Sequence, residues 1–221
     1  MPTTHEPPTY RRGPLKAFWY WLTSTAIWIT AKLLYRLRTE GRLRVPMRGP
    51  VVLLANHSSH LDPPLVGGAT RRQLSYLARD TLFDGPLGWL IRSYDAVPVD
   101  RDGSGIAGIK ATLKRLKQGG TMVLFPEGTR SSDGELQPFK PGFVALVRRS
   151  KATIVPLGIA GAGEVWPKGQ SRPRLTGRIA LHYGEPMPSE AFEGLNDEEV
   201  VALAERSVAA CLAAARALRN G

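Results

Sequence analysis

The chain has 221 residues, enough for one domain of ordinary size with a small appended element. A formal charge of +11 and a pI near 10.2 favour anionic partners, namely phosphorylated metabolites, anionic lipid head groups or nucleic acid. The single cysteine, Cys211, excludes an internal disulfide, and its Ala-rich helical surroundings suit burial as a small hydrophobe.

In chain order, residues 1–13 are rich in Pro and Thr and predict a disordered leader. Residues 14–48 form a basic, aromatic segment: the first fifty residues hold nine Lys or Arg against Glu6 and Glu40, so +7 of the total charge lies there. Inside it the uncharged run "AFWYWLTSTAIWITA" carries Trp19, Trp21 and Trp28. As a helix these fifteen residues reach only about 22 Å, short of the roughly 30 Å hydrocarbon core of a bilayer, so a single pass across a membrane is not expected. Lys16, Thr23 and Thr30 recur every seven residues as a narrow polar stripe and leave the aromatics on the remaining surface. An apolar helix packed on its own domain fits this pattern. A helix lying in the membrane interface fits it better, because core helices rarely carry so many tryptophans between basic flanks. The start "RRGPLK" is compared with a twin-arginine leader, but Pro14 stands where such leaders favour a bulky apolar residue and no small-x-small cleavage site precedes Lys32; an export signal is set aside.

From residue 49 to 221 the pattern is that of an α/β domain. The runs "PVVLLAN", "QLSYLAR", "AVPVD", "TMVLFPE", "TIVPLGI" and "RIALHYG" read as strands, and helical patterns fall near residues 86–93, 104–118, 142–150 and 196–219. Their alternation predicts a mixed, largely parallel sheet flanked by helices, with sites where loops leave the carboxyl ends of strands. "QGGT" closes one helix, "GAGEVWPKGQSRPR" is a basic Gly/Pro loop of the kind that lies beside a site, and "NDEEVV" has capping and acidic residues suited to a helix start.

The first chemically suggestive stretch is "NHSSHLDPP", just past the apolar "PVVLLA". His57 and Asp62 are five apart and meet only if the chain turns between them. Pro63 suits a first helical position, which makes Asp62 a natural N-cap, and alone that is the plainest account of Asp62. A metal site of His57, His60 and Asp62 lacks a third nitrogen ligand, since only His5 and His182 remain elsewhere. A base and its orienter is the remaining reading: a carboxylate on one ring nitrogen fixes the tautomer and leaves the other to take a proton, with a nucleophile supplied by the substrate. A second stretch, "VLFPEGTRSSDG", places Glu127, Gly128, Thr129 and Arg130 in a turn beyond a strand; glycine permits close backbone approach and Arg130 offers a planar fork suited to phosphate. In "AVPVDRDG", Arg101 sits at another strand end, where an ion pair with Asp100 or Asp102 is the ordinary interpretation.

"NHSSHLD", "VPVDR", "FPEGTRS" and "IVPLGI" occur in the order and at the spacings found in the glycerolipid acyltransferases, and over roughly residues 36–190 the chain resembles the 1-acylglycerol-3-phosphate acyltransferase family. The resemblance implies an α/β fold with its cleft at the strand ends. It implies fatty acyl transfer from a coenzyme A or acyl-carrier-protein thioester to a glycerolipid hydroxyl, with no other cofactor; 1-acylglycerol-3-phosphate is the family's commonest acceptor, and glycerol-3-phosphate, other lysophospholipids and glycolipids are the alternatives. His57 would be the general base and Asp62 its partner, while Arg101, Glu127, Gly128, Thr129 and Arg130 would bind the acceptor phosphate and shape the site. Glu127 is itself anionic and is expected to position Arg130, Arg101 or a substrate hydroxyl. Backbone N–H groups near Gly128 are candidate oxyanion donors, Pro156 belongs to a block that helps form the donor site, and His60 has no role. An anionic membrane surface at the cytoplasmic face of the cell membrane is the expected partner. Nucleic acid is not, since the basic residues cluster beside an apolar aromatic segment and no nucleic-acid-binding motif occurs. A non-catalytic lipid-binding protein would explain the N-terminal segment but not the pairing of His57 with Asp62.

Overall fold

The computed structural model describes residues 8–10, 12–99 and 106–221. Helix α1 (Pro14–Tyr35) opens on a proline whose fixed φ suits the first helical turn and closes at Arg36 in the left-handed conformation (φ 44°). There follow β1 (Arg38–Glu40), a 3₁₀ turn at Arg42–Arg44, β2 (Val51–Ala55), α2 (Asp62–Ala69), β3 (Leu74–Arg79), a 3₁₀ turn at Asp80–Phe83, α3 (Gly85–Ser93) and β4 (Val97–Val99). The second half contains α4 (Ile106–Lys117), β5 (Thr121–Leu124), α5 (Gly142–Ser150), β6 (Thr153–Ala160), α6 (Ala162–Val165), β7 (Ala180–Tyr183), a 3₁₀ turn at Ser189–Phe192 and α7 (Asp197–Asn220).

The seven strands form one sheet in the order β1-β7-β6-β2-β5-β3-β4, parallel at every pair except the antiparallel β6–β7. This is the mixed, largely parallel α/β sheet that the alternating pattern predicts. β2 lies in its middle, with Leu54 opposite Leu124 of β5 and Pro156 of β6. Both faces of β2 are covered, so its five residues are apolar throughout and fully buried. Alternate residues divide two cores. Val51, Leu53 and Ala55 pack with Ala31 and Tyr35 of α1 and Leu65, Val66 and Ala69 of α2. Val52 and Leu54 pack with Leu116 of α4, Val144 and Val147 of α5, and Val200, Ala204 and Val208 of α7.

Two close approaches set the geometry of the layers. Gly67 and Gly68 of α2 leave no room for side chains: a Cβ at Gly68 would lie 3.1 Å from both Ser24 O and Trp28 N of α1, so the two helices touch backbone to backbone. On the opposite face α7 crosses β6 at Gly158, where a Cβ would meet the Cys211 carbonyl at 2.2 Å. Cys211 is buried there as a small hydrophobe. α7 begins with the capping box formed by Asn196 and Glu199, followed by Asp197 and Glu198 in its first turn.

The N-terminal segment is part of this fold. Arg12, in the stretch expected as a leader, is 7% exposed; its Nε pairs with Asp95 at 2.8 Å and Nη2 donates to the carbonyls of Leu74 and Tyr94. Within the 14–48 segment, Arg38–Glu40 is an edge strand on β7. α1 buries Tyr20, Ala31 and Tyr35. Its Lys16 and Thr23 flank turns toward the domain, with Lys16 Nζ 3.2 Å from Asp95. The outward face is apolar, with Leu15, Phe18, Leu22, Ile29 and Leu33 exposed at intervals of three, four, seven and four residues, which fall on one side of a helix. The tryptophans divide: Trp21 is 60% exposed, Trp19 Nε1 donates to Ser93 Oγ at 3.0 Å, and Trp28 packs against the core.

Candidate active site

β2 is the central strand from which the site is built. Where it parts from β6, Asn56 continues the ladder with its side chain: Nδ2 donates to Ile159 O at 3.0 Å and Oδ1 accepts from Ile159 N at 2.8 Å. The next residue is His57, at the carboxyl end of the sheet. The chain then turns back through Ser58 and Ser59 into α2, which brings Asp62 Oδ2 to 2.8 Å from His57 Nδ1.

Asp62 does not cap α2 as the sequence suggests. It is the first residue of the helix, preceded by Leu61 at the cap position, and its side chain points backward. Oδ2 accepts from the backbone N–H groups of Ser58 (2.7 Å) and Ser59 (2.8 Å) as well as from His57. The helix N-terminus has room for Pro63 and Pro64 because the donors around Asp62 belong to the preceding turn. Fully buried and held by three donors, the carboxylate keeps Nδ1 as the protonated ring nitrogen, which leaves Nε2 for a substrate proton. The imidazole lies on the Phe125 ring at 4.2 Å and 22°.

The "FPEGTR" turn is tied to the same histidine by its main chain. Glu127 Oε1 accepts from His57 N at 2.7 Å and Oε2 from Gln137 N at 3.2 Å, and Ser131 N donates to His57 O at 2.8 Å. Glu127 thus positions the His57 backbone. Burial pushes its carboxyl up to about 7, against the lowering effect of the two N–H donors. Gly128 has φ +72°, a left-handed conformation that excludes most side chains, and the Lys140 side chain lies across it. The Gly128 N–H, one of the expected oxyanion donors, is taken by Phe125 O at 3.0 Å.

Thr129 is exposed at the tip of the turn. Arg130 is half-buried, and its Nη1 has no hydrogen-bond partner among the described residues. The Arg130 carbonyl accepts from Lys168 Nζ at 3.0 Å, so the basic Gly/Pro loop lies beside the site, as its composition suggests. Arg130 also faces His60. Burial, followed by the Arg130 charge, holds the His60 imidazole below its usual range. The His60 ring packs on Trp166 at 5.2 Å, and Ser59 Oγ donates to Trp166 O. Pro156 sits inside β6, and its strand reaches the site at its carboxyl end, where Ile159 bonds to Asn56. Arg101 lies outside the described residues. Asn56, Phe125, Gln137, Lys140 and Trp166 also contribute to the site; Asn56 and Phe125 stand inside the two motifs and Trp166 inside the basic Gly/Pro loop, where a polar residue at a strand end and aromatics beside the turns are the available signals.

Comparison with known proteins agrees with the geometry. A family model described as Acyltransferase matches residues 36–160, a span that contains β1 through β6, both motifs and the His57–Asp62 pair. The chain belongs to this acyltransferase family. Among similar proteins, the 1-acyl-sn-glycerol-3-phosphate acyltransferase of Bacillus subtilis is 29% identical over 83% of this chain and 89% of its own length. The chloroplastic 1-acyl-sn-glycerol-3-phosphate acyltransferase LPAT1 of Arabidopsis thaliana is 27% identical over 77% of this chain, which spans about half (49%) of that longer relative. The crystal structure of PlsC, the 1-acyl-sn-glycerophosphate (LPA) acyltransferase of Thermotoga maritima, has the same fold, with a TM-score of 0.78 at 24% identity over 94% of this chain and 83% of that one.

Proposed function

We propose that the protein transfers a fatty acyl group from an acyl thioester, acyl-CoA or acyl-carrier protein, to the free hydroxyl of 1-acylglycerol-3-phosphate, yielding phosphatidic acid for phospholipid synthesis. The observation that carries this reading is His57 Nδ1 bound to the buried Asp62 at 2.8 Å while the backbone of the same residue is clasped by the "FPEGTR" turn. His57 Nε2 takes the acceptor's hydroxyl proton as the oxygen attacks the thioester carbonyl. Collapse of the tetrahedral adduct forms the ester bond and breaks the C–S bond, and the imidazolium returns the proton to the departing thiolate. Asp62 stabilises the imidazolium between these steps. A positioned base contributes about 10²- to 10⁴-fold, and alignment of the two substrates supplies much of the rest. Arg130, with an unpartnered buried guanidinium nitrogen, and Arg101 receive the acceptor phosphate.

No helix among the described residues is long and apolar enough to cross a membrane. The outward apolar face of α1, set among basic residues, supports a monotopic seat on the cytoplasmic membrane face, from which a lysolipid enters the cleft while the thioester arrives from water. Purified protein given a panel of acceptors with both donor types, with products identified by mass spectrometry, tests the assignment. The expected product is phosphatidic acid; turnover confined to an acceptor without phosphate would overturn it.

A further inference from the structure

Beside the His57 turn lies a cavity of about 510 Å³ that the reaction as described leaves unused. Its inner end is Ser58, one residue from the base, and Ile159 and Ala160 at the exit of β6; Leu212 of α7 forms its apolar floor. One wall is the Gly161–Gly163 backbone, where the main chain is bare: a Cβ at Gly163 would come within 3.0 Å of Ser58 Cβ, so a side chain there would press on the turn that carries His57. The outer rim is charged, with Lys168, Arg174, Arg216 and Arg219 set among Asp133, Glu135 and Glu164.

The rim cations are not equivalent. Arg216 pairs with Glu135 at 2.8 Å and Arg219 with Glu164, so those two guanidinium groups are neutralised in place. Lys168 donates to a neutral carbonyl, Arg130 O, and Arg174 is held at its backbone, where N donates to Val165 O at 2.8 Å. Neither is in an ion pair with a carboxylate among the described residues. Two cations without a carboxylate partner at the mouth, against the one carboxylate (Asp133) not taken by Arg216 or Arg219, a wall without side chains at Gly161 and Gly163, and an apolar residue, Leu212, together match an extended chain with an anion at one end and a reactive group at the other. These rim residues lie beyond residue 160, outside the stretch that the family model matches.

We propose that this cavity binds the phosphorylated pantetheine arm of the acyl donor, with its amides along Gly161–Gly163, its phosphate between Lys168 and Arg174, and its thioester delivered past Ser58 to His57. The inference rests on the reading of the protein as a thioester-dependent acyltransferase. It places the donor's phosphate on a different pair of cations from the acceptor's.

The test is equilibrium titration of the full chain with 4′-phosphopantetheine, pantetheine and coenzyme A, followed by steady-state kinetics. The wild type is expected to bind phosphopantetheine at least about tenfold more tightly than pantetheine, since only the former carries the charge for a charge-assisted bond. Arg174→Ala should weaken phosphopantetheine and coenzyme A binding about fivefold, and Lys168→Ala with Arg174→Ala about tenfold or more, with pantetheine unaffected. In turnover, Arg174→Ala should raise KM for acyl-CoA and acyl-carrier protein alike and leave KM for the lysolipid within twofold. A rise with acyl-CoA alone would move the contacts to the nucleotide phosphates and overturn the assignment. Equal binding of pantetheine and phosphopantetheine, or a rise in the lysolipid KM instead, would overturn it too. Should the double variant not fold, Lys168→Gln in the Arg174→Gln background, which keeps the aliphatic stems, reads the same quantities. Tight phosphopantetheine binding without turnover of any acceptor would defeat the proposed function and leave the cavity assignment standing.

Discussion

The backbone N–H of His57 donates to Glu127 Oε1 at 2.7 Å, so two motifs seventy residues apart in sequence meet through the main chain of one and the side chain of the other. Glu127→Gln keeps the size but can offer an acceptor to only one of the two N–H groups that now converge on it. Turnover of this variant is expected to fall at least about tenfold, with the donor and acceptor KM values changing together, because His57 itself is displaced. A loss confined to the acceptor KM would show that Glu127 acts on substrate instead.

Glu127 also predicts a pH dependence of stability. Its carboxyl is raised by burial from the ordinary range near 4.5 to about 7 in the folded chain. Between these values the folded state holds a proton that the unfolded state has lost. The linked stability is therefore present below about pH 4.5 and declines as pH rises toward 7, by an amount on the order of 1–3 kcal/mol. Denaturant titrations at pH 5 and pH 7.5 should show this slope for the wild type and a flatter one for Glu127→Gln. An identical slope in both would assign the effect to other groups.

His57→Ala is expected to lower turnover by at least about 10²-fold with little change in melting temperature, since Asp62 retains its two backbone donors when the imidazole is removed. Near-normal turnover by a folded variant would end the base assignment.

Asp62 separates electrostatics from architecture. Asp62→Ala strips the acceptor from the N–H groups of Ser58 and Ser59 and should destabilise the fold by about 1–3 kcal/mol for each donor left buried without a partner. Asp62→Asn offers a carbonyl oxygen to the same donors, so most of the stability should remain while turnover falls by about 10²-fold or more. If Asn restored turnover as well, the negative charge on Asp62 would have no part in the chemistry.

Membrane seating calls for substitutions rather than truncation. Deletion of residues 1–38 would remove Tyr20, Ala31 and Tyr35 from the core along with the start of an edge strand, so it would report on folding. Leu15, Phe18, Leu22, Ile29 and Leu33 changed together to Ser should leave the melting temperature within a few degrees and reduce binding to neutral and anionic liposomes alike. Arg42→Gln with Arg36→Gln should weaken only the anionic, salt-sensitive part. Unchanged liposome binding in the first variant would sink the proposal.

The parts of the fold legible in the sequence are those where burial on two faces leaves a continuous apolar run. "PVVLLAN" and "TIVPLGI" became the paired central strands β2 and β6, because a strand covered on both sides has no polar alternation to obscure it. β1 was not legible: "RTE" is polar and three residues long, and it is a strand only because Ala180, Leu181 and His182 of β7 pair with it. The site divides in the same way. His57 and Asp62 are close in sequence and the turn between them is written in local residues, so their meeting could be anticipated. What Glu127 does could not, since its partners are backbone N–H groups that carry no side-chain signature. Lys168 and Arg174 stand in a loop whose place beside the turn is set by the end of β6, a tertiary fact that no local pattern records.

The backbone contact at Gly68 ties two things that would otherwise be independent. α2 meets the α1 backbone at Gly68, near one end of its eight residues, and presents Asp62 at the other. At that point little side-chain bulk is available to absorb a shift of α1. On the proposed membrane seat, the height of the reacting atoms above the plane on which α1 would rest depends on α2, a strut about 12 Å long. An enzyme built this way holds its base at one depth relative to that plane, so acceptors whose hydroxyl lies at another depth would be disfavoured before any pocket side chain is consulted.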